Sequence, residues 1–499
     1  MKENTYEMGV EFVLFLALIG LNVGAFSSFH RTLIGGGRKR TLSRSVNHLD
    51  TYSSSTALGA AVEVVVKEGP FNEDFIRSVE GGWWQRRPML IRNAFDVEYV
   101  NSVGGWPELE DSIQLASDED ADTRLITYSK DEGYQIELGP FEENDVESLV
   151  KNYHDEKKSK WSLLVNDVDR FLPSVSDWID ETFPFIPYWR RDDGQISIAS
   201  KGGGIGLHVD NYDVFLIQTS GTREWRIGTN FISVLQEYEC LHPESDIRVL
   251  DLSLVQQKIQ NFGLHSYTLT PGDVLYLPPR LPHWGIAIDD GCSTFSVGCR
   301  APSGAELLSK LAEQMSTREK GYAVDRIKDD QLVDEYKLSE EKFRRGLLTI
   351  DSKEKAKQLI RNTVEDLLEN EDEFDKWFGA LVTEPKRLRV DYPSPMVLDE
   401  KCDGDLLCSP SKTMEKFMKS EGFLHHAEGL TFSYSVTECG KCQLYVNGDN
   451  WECDIRVARI LGDKKHVRWE EVENIDVEEN ILKLFEDLIG KGFLYWSEE

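Results

Sequence analysis

Short apolar runs, separated by glycine, proline and aspartate, fill the chain from about residue 70 to residue 300. Such runs, bounded by turn residues, are typical of β-strands. Many short antiparallel strands without helical crossovers predict a barrel or jelly roll. Residues 229–262 predict an insertion with a helical stretch, and TPGD (residues 270–273) predicts a turn between two apolar arms. The predicted strands are RPMLIRNAF, SLLVND, QISIAS, YDVFLIQTSG, TREWRIG, YTLTPGDVLYLPP and CSTFSVGCR.

The pattern becomes helical after residue 301. Apolar residues recur at helical spacing from Leu307 to Met315 and again from Leu359 to Leu381. The 499 residues are long enough for two or three domains. We therefore expect a β-rich domain over residues 61–302, a helical domain over 303–395 and an α+β domain over 396–499. The last of these closes with ENILKLFEDLIGKGFLYWSEE, which predicts an amphipathic helix, a glycine break and a short aromatic strand.

The N-terminal residues predict a targeting signal rather than part of the fold. Residues 12–23 are apolar but too short to span a bilayer, and they lead into GAF, as at a signal-peptide cleavage site. Residues 27–49 contain five basic residues and no acidic residue, which is typical of a transit peptide. We expect a signal peptide over residues 1–25 and a plastid transit segment over 26–60, as in the bipartite presequences of algae with secondary plastids. The alternatives are entry into the secretory pathway without further import and targeting to mitochondria.

Composition limits the possible partners and the redox state of the cysteines. The formal net charge of −32 argues against direct binding of DNA or RNA, which needs a basic surface.

The eight cysteines are sparse, which indicates reduced thiols. Cys439 and Cys442 form a CGKC pair, but the following QLYVNG predicts a strand and turn instead of the helix that a redox dithiol needs. Two free thiols near a hairpin are favoured over a zinc knuckle.

Two residues in the segment GGGIGLHVDNYDVF indicate a metal site. His208 and Asp210 are two apart, so on a strand their side chains point to the same face. The third ligand should come from another strand, and His283 lies where an apolar strand resumes after a proline-rich turn. Two histidines and one carboxylate form the facial triad of non-haem Fe(II) oxygenases, which leaves positions open for cosubstrate and oxygen. Purely structural histidines are the alternative.

A cosubstrate such as 2-oxoglutarate would bind iron at its keto acid end and need a cation for its far carboxylate. A guanidinium is best, because it donates two parallel hydrogen bonds to a carboxylate. Arg223 follows the predicted metal strand across a glycine turn, so we expect it to pair back alongside that strand. An ordinary surface arginine is the alternative.

Several segments, taken together, resemble a known family. GGGIGLHVDNYDVFLIQTSGTREWRIG, LTPGDVLYLPPRLPHWG and FSVGCRAP are similar to the JmjC-type ribosomal oxygenases, and WWQRRPMLIRNAF, ADTRLITY, GPF and WSLLVNDVDRFLP match in the same order. The resemblance covers about residues 70–320 and is strongest to the bacterial-type arginine 3-hydroxylases of large-subunit ribosomal protein sixteen. It implies a double-stranded β-helix (a cupin or JmjC jelly roll), followed by a helical dimerisation domain and a C-terminal winged-helix domain.

The resemblance also implies roles for individual residues. It implies that His208, Asp210 and His283 bind Fe(II), and that Arg223 and Ser197 contact 2-oxoglutarate. Ser296 is a further candidate for the same pocket. The sequence departs from the family pattern at three positions, which affects the expected substrate preference rather than the iron site: Asn211, Thr222 and Glu224.

These observations predict an Fe(II)- and 2-oxoglutarate-dependent dioxygenase that hydroxylates an arginine side chain of a large-subunit ribosomal protein in a plastid. Because hydroxylation of an N-methyl group would remove it, a JmjC lysine demethylase is the alternative enzyme. A non-catalytic winged-helix binding module is the alternative from another class, although residues 401–499 carry 12 basic and 20 acidic residues, the wrong balance for phosphate binding. We expect O2 as the second cosubstrate, a homodimer, no direct nucleic-acid partner and no membrane span in the mature form.

Overall fold

The computed structural model describes residues 61–78, 82–129, 133–151, 160–317, 327, 350–384, 410–419, 422–436, 442–473, 475 and 479–497. The predicted presequence, residues 1–60, lies outside them, as do Cys402, Cys408 and Cys439. The described residues form two compact units that divide between Ala301 and Pro302.

The first unit combines strands with short helices, including helices between residues 73 and 182 that the strand pattern did not predict. Its strands are β1 (Val65–Glu68), β2 (Met89–Arg92), β3 (Thr123–Ser129), β4 (Gly133–Leu138), β5 (Lys160–Val165), β6 (Arg191–Ala199), β7 (Asp213–Ser220), β8 (Arg223–Gly228), β9 (Leu264–Leu269), β10 (Val274–Leu277), β11 (His283–Ala287) and β12 (Cys292–Cys299). Its helices are α1 (Glu73–Ser78), α2 (Val97–Ser102), α3 (Leu109–Ala116), α4 (Glu143–Lys151), α5 (Val168–Phe171), α6 (Pro173–Thr182), α7 (Val234–Glu239) and α8 (Leu252–Lys258).

The strands of the first unit form two sheets. The large sheet has the order β1-β2-β10-β7-β12-β6-β5-β3-β4, and the small sheet has the order β11-β8-β9. Only the β1–β2 pair is parallel among these described strands, and every other pair is antiparallel. Two antiparallel sheets with consecutive strands exchanged between them confirm the predicted jelly roll. The predicted insertion contains α7 and α8, as expected.

The structure corrects two predicted strand connections. β7 and β8 do not pair with each other, because β7 lies in the large sheet and β8 in the small sheet. The TPGD turn likewise joins β9 of the small sheet to β10 of the large sheet rather than closing a hairpin. Gly221 and Gly272 adopt φ angles of 62° and 90°, a region that favours glycine, and so let the chain change sheets within a tight turn.

The two faces of the large sheet bury different side chains, as the alternation of a strand requires. One face packs against the helices through an aromatic cluster around Phe71, Trp83, Phe183 and Phe215. Truncating one of these buried rings to alanine would cost about 3 to 5 kcal/mol. The other face points toward the small sheet and packs aliphatic residues around Trp225. Ser197 and Ser296 lie on this second, interior face, which is turned toward the strands that carry Arg223 and His283.

The second unit is mainly helical at first and then mixed. Its helices are α9 (Gly304–Thr317), α10 (Ile350–Leu368), α11 (Glu371–Thr383), α12 (Pro410–Met418), α13 (Ile455–Asp463), α14 (Trp469–Val472) and α15 (Glu479–Gly490). Its strands are β13 (Phe423–His426), β14 (Phe432–Val436), β15 (Cys442–Val446), β16 (Asp449–Cys453), β17 (His466–Arg468) and β18 (Leu494–Ser497). They form two three-stranded sheets, β17-β13-β18 and β14-β15-β16. The chain closes as predicted, with α15, a turn at Gly492 and β18.

Two apolar clusters organise the second unit. Trp377 of α11 is 6% exposed and packs with Leu311 and Met315 of α9, so the two helical segments predicted from the apolar spacing cover each other in part. A larger cluster joins α12, α13 and α15 to the short strands of the second unit.

Cys442 begins β15 as a free thiol opposite Cys453, in agreement with the predicted strand after the CGKC pair. In the described part of the chain, no helix is long and apolar enough to cross a membrane.

Candidate metal and cosubstrate site

The structure brings His208, Asp210 and His283 together. His283 is the first residue of β11, whereas His208 and Asp210 lie in the irregular segment before β7 rather than in a regular strand. A single β-bridge replaces the expected strand: the His208 amide donates to the His283 carbonyl at 3.0 Å, and the His283 amide donates to the His208 carbonyl at 2.9 Å. The convergence therefore comes from this bridge and not from alternation along one strand.

The side chains of the three residues present their ligand atoms to a common point. Candidate donor atoms of all three lie within 4.8 Å of one another. Nε2 of His283 is 3.3 Å from Oδ2 of Asp210, and Nε2 of His208 is 4.0 Å from the same oxygen. The imidazole centroids are 4.2 Å apart. This spacing matches three groups that would share one ion.

Backbone carbonyls orient both imidazole rings. Nδ1 of His208 lies 2.9 Å from the carbonyl oxygen of Gly206, and Nδ1 of His283 lies 2.9 Å from that of Leu281. An imidazole nitrogen next to a carbonyl must carry the proton, which assigns the lone pair of each ring to Nε2. Both lone pairs therefore belong to the nitrogen atoms that approach Asp210.

The environment favours the charge states that bind metal. Burial, reinforced by the neighbouring His283, lowers the pKa of His208 to about 4, despite the opposing charge of Asp210. Burial acts to raise the pKa of Asp210, but contacts with the two neighbouring imidazoles outweigh it and hold that pKa below its ordinary value. A neutral imidazole and an ionised carboxylate are both available at neutral pH, as metal coordination requires.

The donor set fits Fe(II). Two neutral nitrogen donors and one carboxylate oxygen on one side of a point form the facial arrangement of non-haem iron oxygenases. Thiolates, which would favour zinc or copper, are absent from the group of three. The residues present therefore fit the ion that the sequence predicted.

Arg223 faces the same interior from the small sheet. Arg223 on β8 lies opposite Ala287 on β11. Ile227, on the same face of β8, lies opposite His283. The side chain is 2% exposed and its Nε donates to Sγ of Cys292 at 3.4 Å. Its Nη2 is buried and has no hydrogen-bond partner among the described residues. A buried guanidinium nitrogen without a partner is costly, so it indicates that an acceptor, best an anion, binds there.

Ser197 and Ser296 line the same interior from the large sheet. Ser197 lies opposite Thr294, and Ser296 lies opposite Gln195, so all four side chains share one face. Oγ of Ser197 is buried without a hydrogen-bond partner, whereas Oγ of Ser296 donates to the Gln195 carbonyl at 3.3 Å. The structure therefore leaves Ser197 available to a ligand and gives Ser296 an internal partner.

A half-buried arginine and a buried glutamate beside the metal cluster were not predicted from the sequence. Nη1 of Arg280 donates to Oε2 of Glu237 at 2.7 Å and to Oδ1 of Asn211 at 2.9 Å. The Arg280 amide donates to the Asp210 carbonyl at 2.8 Å. Arg280 thus ties α7 to the segment that carries Asp210, and Asn211, one of the departures from the family pattern, is part of this network. The only sequence signal was a charged residue within an apolar, proline-rich turn.

Removing the Arg280 guanidinium should weaken metal binding, because it fixes Asn211, the neighbour of Asp210, whereas the backbone bond from Arg280 to Asp210 is retained. Arg280 has a φ angle of 67°, so Arg280→Gly removes the guanidinium without straining the backbone. Loss of such an outer partner typically costs about 10- to 100-fold in metal affinity. Titration of the variant with Co(II), followed by its visible absorbance, measures the loss directly.

Arg248→Gly is the matched control for this prediction. Arg248 also binds Glu237, at 2.6 Å, but its side chain is 47% exposed and, among the described residues, forms no hydrogen bond to the Asp210 segment. We expect near wild-type metal affinity in that variant. An equal loss in both variants would show that Glu237, and not the positioning of Asp210, controls the affinity.

Comparison with known proteins agrees with the site. A model of the JmjC domain matches residues 179–307, which include the metal cluster, Arg223 and both serines. This segment of the chain is a JmjC domain. Over 456 residues it is 29% identical to a probable ribosomal oxygenase of Haemophilus influenzae, covering 89% of this chain and 98% of that protein. Over 313 residues it is 29% identical to the ribosomal protein uL16 3-hydroxylase of Escherichia coli, covering 62% of this chain and 72% of that protein.

Solved structures show the same fold as this JmjC-domain protein. The ribosomal oxygenase YcfD from Escherichia coli, in complex with cobalt and succinic acid, superposes with a TM-score of 0.60 at 23% identity, over 85% of this chain and 97% of that one. The same protein in complex with cobalt and 2-oxoglutarate gives the same values. The resemblance to ribosomal oxygenases that the motifs indicated is confirmed by these relatives.

Proposed function

We propose that the protein is an Fe(II)- and 2-oxoglutarate-dependent hydroxylase of a large-subunit ribosomal protein. The observation that carries the proposal is the metal cluster of His208, Asp210 and His283 in the same interior as the unpartnered guanidinium nitrogen of Arg223. The names of the two curated relatives support the activity and the class of substrate.

Bound iron, with O2 and 2-oxoglutarate, supplies the oxidising chemistry that inserts a hydroxyl group into a carbon–hydrogen bond. The residues of the chain bind and orient. His208, Asp210 and His283 would hold the ion from one side and leave the other side open. Arg223 would donate hydrogen bonds to the distal carboxylate of the cosubstrate, and Ser197 would donate its buried hydroxyl to the same group.

Within this function we propose an arginine side chain as the target. The support is the sequence resemblance to the arginine-hydroxylating branch, which also uses an arginine at the position of Arg223. Incubation of the full chain with Fe(II), 2-oxoglutarate and recombinant uL16 tests the proposal. Mass spectrometry should show the gain of one oxygen atom on an arginine, with release of succinate. A gain on another residue type would contradict the target, and loss of a methyl group from lysine would support the demethylase alternative.

We propose that the second unit supports a homodimer and includes a winged-helix-like segment over residues 396–499. Leu308, Ile360 and Leu368 on α9 and α10 are 60%, 66% and 53% exposed, which leaves apolar helix surface for a second copy. The acidic balance of residues 401–499 argues against a nucleic-acid partner for the winged-helix-like segment.

The dimer proposal predicts a two-subunit mass in solution. Light scattering at micromolar concentration should give twice the mass of one chain, and Ile360→Asp should shift the protein toward one chain because it places a charge in the apolar interface. Val66→Asp is a matched control, since Val66 is also exposed (53%) but lies on β1. A single-chain mass for the wild type would contradict the proposal.

We also propose import into a plastid, on the composition of residues 1–60 alone. A fluorescent fusion of these residues should accumulate in plastids of a diatom-like alga, because cleavage before Phe26 would expose the basic segment as a transit peptide. Phe26→Ala should keep the fusion outside the plastid. Secretion of the unaltered fusion, or its arrival in mitochondria, would contradict the plastid assignment without affecting the iron chemistry.

A further inference from the structure

The insertion between β8 and β9 exposes a cluster of apolar side chains. On α7, Val234, Leu235 and Tyr238 are 61%, 67% and 73% exposed, and Phe231, just before the helix, is 37% exposed. We call these four residues the α7 patch. The other side of the helix is occupied by the buried Glu237. Single exposed apolar residues are normal, but several on one short helix are typical of an interaction site.

The α7 patch is held next to the metal cluster. The Ile232 amide donates to the Arg280 carbonyl at 3.0 Å, and Nε of Arg280 donates back to the Ile232 carbonyl at 3.1 Å. Arg280 also binds Glu237 on the inner side of α7 and the Asp210 carbonyl. Arg280 therefore joins α7, through its side chain, to Asp210, through its backbone amide. A polypeptide that reaches the metal cluster would pass close to the patch.

The charge around the patch fits a basic polypeptide. Residues 229–262 contain five acidic and two basic residues, and Glu239 and Glu244 are exposed. A protein that contacts ribosomal RNA carries an excess of basic residues, because RNA binding requires phosphate contacts. An apolar surface in acidic surroundings complements an apolar segment within such a basic protein.

We propose that the α7 patch is the docking surface for the ribosomal protein substrate. The inference rests on the proposed function, and it identifies where the substrate binds outside the metal cluster. Contacts remote from the reaction act equally on substrate and transition state, so their loss raises KM and leaves kcat unchanged. Tyr238 and Leu235, the most exposed members, would become buried on binding.

The test compares two double variants of the full, iron-loaded chain with uL16 as substrate. Leu235→Ala with Tyr238→Ala should raise the KM for uL16 by roughly 10- to 100-fold, with kcat and the KM for 2-oxoglutarate unchanged. The matched control is Leu138→Ala with Tyr99→Ala, the same residue types at 54% and 60% exposure on other elements, which should behave as wild type. Leu235→Lys should raise the KM for uL16 more than Leu235→Glu, because the partner is basic.

Three results would overturn the inference. If the wild type hydroxylates uL16 and the α7 variant keeps its KM, docking lies elsewhere and the proposed function stands. If the α7 variant changes from dimer to single chain in light scattering, the patch joins two copies of this chain. If the wild type hydroxylates no large-subunit ribosomal protein, the proposed function fails and the docking inference fails with it.

Discussion

Asp210→Ala should abolish 2-oxoglutarate turnover while the protein remains folded. The carboxylate is one of three groups that would hold the ion, and it contributes nothing to the large apolar clusters of the first unit. Loss of an outer partner of a metal ligand costs about 10- to 100-fold, so loss of a direct ligand should exceed about 100-fold. Succinate release with saturating Fe(II) measures the effect, and His208→Ala should behave in the same way.

The metal itself gives a second readout for this prediction. Co(II) absorbance should show no tight site in Asp210→Ala, and thermal unfolding should occur close to that of the metal-free wild type. Asp74→Ala, at an exposed position of α1, is the matched control and should retain both turnover and metal binding. Turnover within tenfold of wild type in either ligand variant would exclude the oxygenase mechanism.

Arg223→Met should cause the second large effect, a loss of affinity for 2-oxoglutarate. The guanidinium is buried, forms no ion pair among the described residues and keeps one nitrogen without a partner. Removing one member of a buried, hydrogen-bonded charge pair costs about 2 to 5 kcal/mol, roughly 30-fold or more in affinity. Arg223→Lys should lose less, because the charge remains while the paired donor geometry is lost. Calorimetric titration with 2-oxoglutarate measures both variants.

The same strand provides the control for Arg223. Arg226 lies three residues further along β8, faces the opposite side and pairs with Glu224 at 3.1 Å. Arg226→Met removes an equal charge from the same strand, so it should leave the affinity for 2-oxoglutarate unchanged. If Arg226→Met weakens binding as much as Arg223→Met, a general loss of positive charge explains the effect and the anchoring cation is not Arg223.

The metal cluster could be predicted from sequence because each member has a local signal. His208 and Asp210 lie in one glycine-rich segment, and His283 follows a proline-rich turn at the start of a strand. The reason for their convergence could not be predicted. A short glycine turn between apolar runs normally predicts a hairpin, but at Gly221 the chain passes from the large sheet to the small sheet, and His208 meets His283 through a single β-bridge.

Contacts between distant residues account for the rest of what the sequence did not reveal. Glu237 and Arg280 are 43 residues apart, and Arg280 adopts a left-handed backbone conformation that arginine rarely takes, so neither their contact nor the local backbone could be predicted. The helical spacing around Trp377 shows which residues share a face, but not which helix covers them. Its partners on α9 depend on packing between helices that are distant in sequence.

The register of the small sheet sets a length scale for the cosubstrate. Arg223 lies opposite Ala287 and Ile227 lies opposite His283, so the cation and the imidazole are fixed four positions apart along one ladder. Four positions of a strand span roughly 13 Å, and hydrogen-bonded backbone cannot shorten that distance. The small sheet should therefore make the site discriminate among dicarboxylic acids by chain length. A keto diacid one carbon shorter or longer should reach either the metal cluster or Arg223, but not both.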